Sequence, residues 1–151
     1  MKRQGARLGK HFLNNPHYAE VLVQEAGITS DDTVLEIGPG EGMLTRELLK
    51  VAKIVIAVEK DEVLAQKIYE TFGTDVSAGR LKVISTDIRD IAPEKIGLMA
   101  GQYVLAANIP YYITGELLRK FLESVAQPRT IAFLMQKEVA QRIIAKKSAQ
   151  G

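Results

Sequence analysis

Cysteine is absent from this chain of 151 residues, and histidine occurs only twice, as His11 and His17. Without cysteine the chain can form neither a disulfide bond nor a metal site built on thiolates. Neither histidine stands in a cluster of further ligand residues, so no metal site is expected. No apolar run approaches the ~20 residues that cross a bilayer. Met1 leads into charged residues and not into an apolar secretory segment, so we expect a cytoplasmic protein without membrane contact.

Composition and charge are those of an ordinary globular domain. Hydrophobic residues make up 46% of the chain and charged residues 25%, which is typical of one soluble domain. The net charge of +2 is uneven, because the first ten residues carry four basic side chains and no acid: Lys2, Arg3, Arg7 and Lys10. Such an arm can contact nucleic-acid phosphates, although a solvated chain terminus carries charges in the same way.

A glycine-rich turn follows the first apolar run of the chain. Residues 33–37 have the pattern of a strand buried in a parallel sheet, and leucines at helical spacing occupy 44–49. Between them lie Gly38, Gly40 and Gly42, which let the backbone approach a ligand closely because no Cβ intervenes. The spacing differs from the dinucleotide signature, whose third glycine packs the helix on the strand. Glycines here can also serve only to turn the chain, so the turn alone does not establish a ligand site.

Glu59 adds a second feature of a nucleotide site. It stands 21 residues after Gly38 and ends the apolar run 54–58. An acidic residue at the end of the second strand is placed to accept hydrogen bonds from ribose hydroxyls. Together with the glycine turn, it indicates a cofactor that contains a nucleoside.

Strand and helix patterns alternate along the whole chain. Apolar runs predict strands at about 33–38, 53–59, 81–85, 103–107 and 130–135, with helices between them and after the last, at about 137–147. This alternation predicts an α/β fold with a doubly wound, mostly parallel sheet. The helix that begins at Asp61 is expected to bury Val63, Leu64, Ile68 and Phe72.

The carboxyl ends of four predicted strands carry glycine or polar residues. Ligands of doubly wound sheets bind at this edge, where the strand order reverses. At or just after the ends of the first four strands lie Gly38, Glu59, Asp87 and Asn108. Asp87 could accept a hydrogen bond from the exocyclic amine of adenine, although an aspartate is also a common first residue of a loop.

Residues 108–111 suit methylation of an exocyclic amine on a base. The amine's lone pair is delocalised into the ring, and two acceptors on its N–H bonds would free it. Asn108 Oδ1 and the carbonyl of Ile109 or Pro110 could supply them, with Pro110 fixing the backbone. Tyr111 offers a flat face for an extruded base. The same residues are also good turn formers.

Four segments of the chain resemble the ribosomal RNA adenine N6-dimethyltransferases: 9–13, 34–42, 108–114 and 136–142. The last of them resembles the bacterial small-subunit branch of that family. The resemblance implies a Rossmann-like fold of the S-adenosylmethionine-dependent methyltransferase type, with S-adenosylmethionine as methyl donor. It further implies that two adjacent adenosines near the 3′ end of 16S rRNA become N6,N6-dimethyladenosine during ribosome biogenesis.

The resemblance also assigns a role to each site residue. His11 and Leu13 would line the methionine side of the cofactor, and Gly38 its amino-acid moiety. Glu59 would bind the ribose and Asp87 the adenine amine. Asn108 would face both cofactor and substrate, and Tyr111 would stack on the target base.

The chain departs from the family pattern in two places. Lys10 stands where the family usually has glutamine, which would alter a polar contact near the cofactor or replace it by a charge. The chain ends at Gly151, before the helical RNA-binding domain of the family. We therefore expect residues 1–151 to form a truncated catalytic domain that is a monomer.

Two further functions are compatible with parts of the pattern. A non-catalytic RNA-binding factor of ribosome assembly could keep the same fold, but it would not need residues 108–111. An NAD-dependent enzyme is disfavoured by the incomplete glycine signature and by the lack of groups arranged for hydride chemistry.

Overall fold

The computed structural model describes residues 15–135, except for the side chain of Tyr111. Its centre is one sheet of five strands in the order β3-β2-β1-β4-β5, and every neighbouring pair is parallel. The strands are β1 (Thr33–Ile37), β2 (Ile54–Glu59), β3 (Leu81–Ser85), β4 (Tyr103–Asn108) and β5 (Thr130–Leu134). The predicted α/β fold and all five predicted strands are confirmed.

Helices connect the strands in the predicted alternation. They are α1 (Pro16–Glu25), α2 (Met43–Val51), α3 (Glu62–Thr71), α4 (Gly73–Ser77) and α5 (Thr114–Leu122). Short 3₁₀ turns at Ile88–Asp90, Pro93–Ile96 and Tyr111–Ile113 complete the connections. None of the helices in this part of the chain is long and apolar enough to cross a membrane. The helix predicted at 137–147 lies outside the described residues.

Capping residues in the sequence set where two of these helices begin. Asn15 Oδ1 accepts a hydrogen bond from the His17 N–H at 3.0 Å, and Pro16 occupies the first turn of α1. Asp61 Oδ1 accepts from the N–H groups of Val63 and Leu64 at the start of α3. Both caps satisfy backbone donors that have no partner inside the helix.

Two apolar clusters cover the two faces of the sheet, because successive side chains of a strand point to opposite sides. One cluster includes Val34 and Val55 and packs against α1, α2 and the end of α3. The other includes Leu35 and Ile56 and packs against α5 and the segment 88–98. With both faces covered, the carboxyl edge of the sheet stays open for a site.

The predicted burial of Val63 is wrong, since 76% of this residue is exposed. The inner side of α3 is formed by Ala65 and Ile68, and Phe72 follows on the same side. Two residues correspond to about 200° of rotation around a helix axis, so a helix that buries Ala65 turns Val63 to the solvent.

Candidate functional site

A cavity of about 290 Å³ opens where the strand order reverses between β1 and β4. Its walls come from the carboxyl ends of the first four strands. Five residues predicted for the site line it together: Gly38, Glu59, Asp87, Asn108 and Pro110. The backbone of Tyr111 continues from this wall into the 3₁₀ turn, whereas His11 and Leu13 lie outside the described residues.

The glycine turn after β1 forms one wall of the cavity. Gly38 has φ +64°, and its N–H donates to the Val58 carbonyl at 2.8 Å, which ties the turn to β2. A Cβ on Gly38 would meet no atom within 4 Å, so open space lies beside this backbone. The turn therefore offers a ligand both close access and a left-handed backbone that other residues rarely adopt.

Gly42 has a different role from Gly38, because it is tightly packed. With φ +90°, a Cβ at this position would lie 2.8 Å from Phe72 Cε2 and 2.9 Å from Ile68 Cδ1. The third glycine is therefore needed for close packing, but against side chains at the end of α3 and not of a helix on a strand. It lets α2 begin directly against the end of α3.

The Glu59 carboxylate joins the glycine turn to the connection that follows β2. Glu59 is buried, and its Oε1 accepts from the Gly40 N–H at 3.1 Å while Oε2 accepts from the Asp61 N–H at 3.0 Å. A carboxylate has about four acceptor positions, so two of them are left for ligand hydroxyls. Glu59 can therefore organise the turn and contact a ribose at once.

Asp87 forms an ion pair with Arg89, a residue that the sequence analysis did not single out. Arg89 Nη2 donates to Asp87 Oδ2 at 2.7 Å, and Nε lies 3.1 Å from Oδ1. These bonds lower the pKa of Asp87 to about 2, so the carboxylate stays ionised near neutral pH. A basic residue two positions after the aspartate was the available signal, since an Asx turn bonds the aspartate side chain to the N–H of that residue.

The wall that follows β4 is built around Pro110. The Pro110 carbonyl accepts from the Ile113 N–H at 3.4 Å and from Thr114 Oγ1 at 3.5 Å, so it belongs to the local turn. The sequence left open whether the carbonyl of Ile109 or that of Pro110 accepts a hydrogen bond from a ligand. Because the Pro110 carbonyl is engaged in the turn, the Ile109 carbonyl is favoured. Tyr112, which is 74% exposed, lies at the rim of the cavity.

Glu36 is a buried acid directly beneath the glycine turn. It is 1% exposed, and Thr45 in the first turn of α2 donates to its Oε1 at 2.6 Å. Its Oε2 has no hydrogen-bond partner among the described residues. Burial, with a further contribution from the Glu59 charge, raises the pKa of Glu36 from near 4.5 to about 8. Glu36 was visible in the sequence as a charged residue inside an apolar strand, but it was not among the residues predicted for the site.

The cavity combines a glycine turn with two carboxylates, which suits a ligand that has hydroxyl and amine donors. In the part of the chain that the structure describes, no group of three or more possible ligand side chains could hold a metal ion. A parallel sheet of this order, with the turn after β1 and an acid at the end of β2, defines a Rossmann-like nucleotide-binding fold. The solved structures that share this fold and are similar in sequence place the chain in the class of S-adenosylmethionine-dependent methyltransferases.

The chain belongs to the ribosomal RNA adenine dimethylase family, whose model matches residues 1–151. It is 42% identical over 144 residues to ribosomal RNA small subunit methyltransferase A of Dehalococcoides mccartyi, covering 95% of this chain and 48% of that protein. A ribosomal RNA small subunit methyltransferase of Arabidopsis thaliana is 38% identical over 137 residues, with 91% of this chain and 37% of that protein covered.

Solved structures show the same relationship. A dimethyladenosine transferase from Plasmodium falciparum superposes with a TM-score of 0.69 at 30% identity, covering 87% of this chain and 45% of that one. The 23S rRNA methyltransferase ErmE gives a TM-score of 0.66 at 28% identity, covering 82% of this chain and 47% of that one. The chain thus spans about half the length of the curated relatives it matches.

Proposed function

We propose that this chain is the S-adenosylmethionine-binding catalytic domain of a 16S rRNA adenine dimethyltransferase. It transfers methyl groups to N6 of adjacent adenosines near the 3′ end of that RNA, in the small ribosomal subunit, giving N6,N6-dimethyladenosine. The observation that carries the proposal is that the predicted cofactor residues and the predicted substrate loop line one cavity. The glycine turn and two carboxylates form one side of it, and the loop after Asn108 forms the other.

The residues of the cavity fit the proposed cofactor. Open space beside Gly38 admits an amino-acid moiety, Glu59 keeps two acceptor positions for ribose hydroxyls, and the ionised Asp87 can accept from an adenine amine. His11 and Leu13 are proposed to complete the methionine end. When bound, S-adenosylmethionine supplies an electrophilic methyl group on a sulfonium.

On the substrate side, the chain would prepare the target amine for attack. Asn108 Oδ1 would accept from one N–H bond and the Ile109 carbonyl from the other, which frees the nitrogen lone pair. Pro110 restricts the backbone that carries this carbonyl. Tyr111 would stack on the extruded base. Holding the amine in line with the methyl group then supplies much of the acceleration, and no dedicated base is needed because the methylated amine is itself acidic.

Mass spectrometry of RNA nucleosides tests the proposed reaction. Small subunits that lack the modification are incubated with this chain and S-adenosylmethionine, and N6,N6-dimethyladenosine is expected to appear. Asn108→Ala is expected to reduce transfer about 100-fold, because one preorganised polar contact to the reacting group is lost. Tyr111→Ala should also lose transfer but keep cofactor binding. RNA binding without any transfer by the wild type would instead support the non-catalytic assembly factor.

Thermal denaturation tests the cofactor assignment separately. S-adenosylmethionine is expected to raise the melting temperature of the wild type, and Glu59→Ala should abolish this shift. The variant should also melt lower without ligand, because the N–H groups of Gly40 and Asp61 lose their acceptor. Glu20→Ala, an exposed change on α1, is the control and should keep the full shift. Stabilisation of the wild type by NAD and not by S-adenosylmethionine would contradict the assignment.

A further inference from the structure

Arg89 occupies both oxygens of the carboxylate proposed to recognise the cofactor's base. Its Nη2 donates to Asp87 Oδ2 at 2.7 Å, and its Nε lies 3.1 Å from Oδ1 and 3.2 Å from Oδ2. Arg89 also lines the cavity together with Gly38 and Glu59. An amine that approaches Asp87 therefore meets an acceptor already engaged by a guanidinium.

The guanidinium is held less firmly than the backbone that carries it. The Arg89 N–H donates to Asp87 Oδ1 at 2.9 Å, and the Arg89 carbonyl accepts from Lys120 Nζ on α5 at 3.2 Å. The side chain itself is 57% exposed, and exposed ion pairs are weak. The guanidinium can therefore leave Asp87 while the 3₁₀ turn stays in place.

A second acid is available to a displaced guanidinium. Glu116 of α5 lines the same cavity. Asp87 raises the pKa of Arg89 above its ordinary value, and the charge of Glu116 adds to this increase. The purine end of the cavity thus holds an acceptor, Asp87, and a donor, Arg89, side by side. A 6-amino group needs the acceptor, whereas a 6-oxo group needs the donor.

We propose that Arg89 determines base specificity at the purine end of the cofactor cavity, an inference that rests on the proposed function. Its guanidinium competes with a 6-amino group for Asp87 and can donate to a 6-oxo group. Arg89 therefore weakens the preference of the site for adenine over hypoxanthine. Without it, Asp87 would favour the amine more strongly.

Isothermal titration with two probes tests this inference. S-adenosylhomocysteine carries the 6-amino group, and S-inosylhomocysteine carries a 6-oxo group together with a proton on N1. Arg89→Met keeps an unbranched apolar stem and the backbone bond to Asp87 but removes the guanidinium. We expect it to bind S-adenosylhomocysteine about twofold to fivefold tighter and S-inosylhomocysteine weaker by a similar factor, the range expected for an exposed ion pair.

Arg119→Met is the matched control, because it removes the same charge from an exposed position of α5 that does not line the cavity. It should leave both affinities unchanged. If Arg89→Met shifts both probes in the same direction, or neither, the inference is wrong while the proposed function stands. If the wild type binds neither probe, the proposed cofactor site is wrong and the inference falls with it.

Discussion

Gly42→Ala is expected to lower the free energy of unfolding by about 2–4 kcal/mol, from backbone strain and overpacking together. At φ +90° an alanine Cβ is strained whatever the space around it. Here the Cβ would also overlap Ile68 Cδ1 and the Phe72 ring, which must both move. The ring is not free to swing away, since it is buried and Arg46 lies over it, 5.4 Å from its centroid.

Urea denaturation measures this effect, with Gly27→Ala as its control. Like Gly42, Gly27 has a positive φ, here +66°, but a Cβ there would meet nothing within 4 Å. This variant carries the backbone strain without the overlap, so it should lose only about 1 kcal/mol. Equal losses at the two positions would show that the contact between Gly42 and α3 contributes nothing to stability.

Glu36→Gln is expected to stabilise the protein at neutral pH, by an amount that grows as the pH rises. Burial raises the pKa of Glu36 to about 8, whereas the unfolded chain releases this proton near pH 4.5. Between these values the folded state binds more protons than the unfolded state, so rising pH destabilises the wild type. At pH 7 the cost is on the order of 3 kcal/mol, because one pKa unit corresponds to about 1.4 kcal/mol.

Glutamine keeps the carbonyl oxygen that accepts from Thr45 and has no charge to bury. Denaturation at pH 4, 6 and 8 should therefore show little difference between variant and wild type at pH 4. The largest gain should appear at pH 8. Glu20→Gln, on the exposed side of α1, should show no comparable pH-dependent gain. A gain of the same size at all three pH values would exclude Glu36 protonation as its cause.

These two predictions concern opposite properties of the same turn. Gly42 fixes the turn by tight packing, whereas Glu36 places a costly acid beneath it, between Ala57 and Ala106 of the neighbouring strands. Strongly shifted carboxyl groups cluster at functional sites. The cost of Glu36 to stability is therefore consistent with a turn that serves binding as well as folding.

The local sequence determined the elements and the edge where the site lies. Helix caps such as Asn15 and Asp61 act within three residues, and each strand is a short apolar run, so both could be predicted without a partner. The parallel alternation then placed Gly38, Glu59, Asp87 and Asn108 at one edge, because the carboxyl ends of parallel strands coincide. Residues 108–111 and the other family segments pointed to the chemistry.

Only the tertiary structure decided which side chains meet within that edge. The rotation of α3 set Val63 outward, and the docking of α2 against Phe72 gave Gly42 its packing role. The burial of Glu36 likewise depends on how α2 and the neighbouring strands pack around it. Periodicity defines the face of each element, but contacts between elements depend on distances that no local pattern contains.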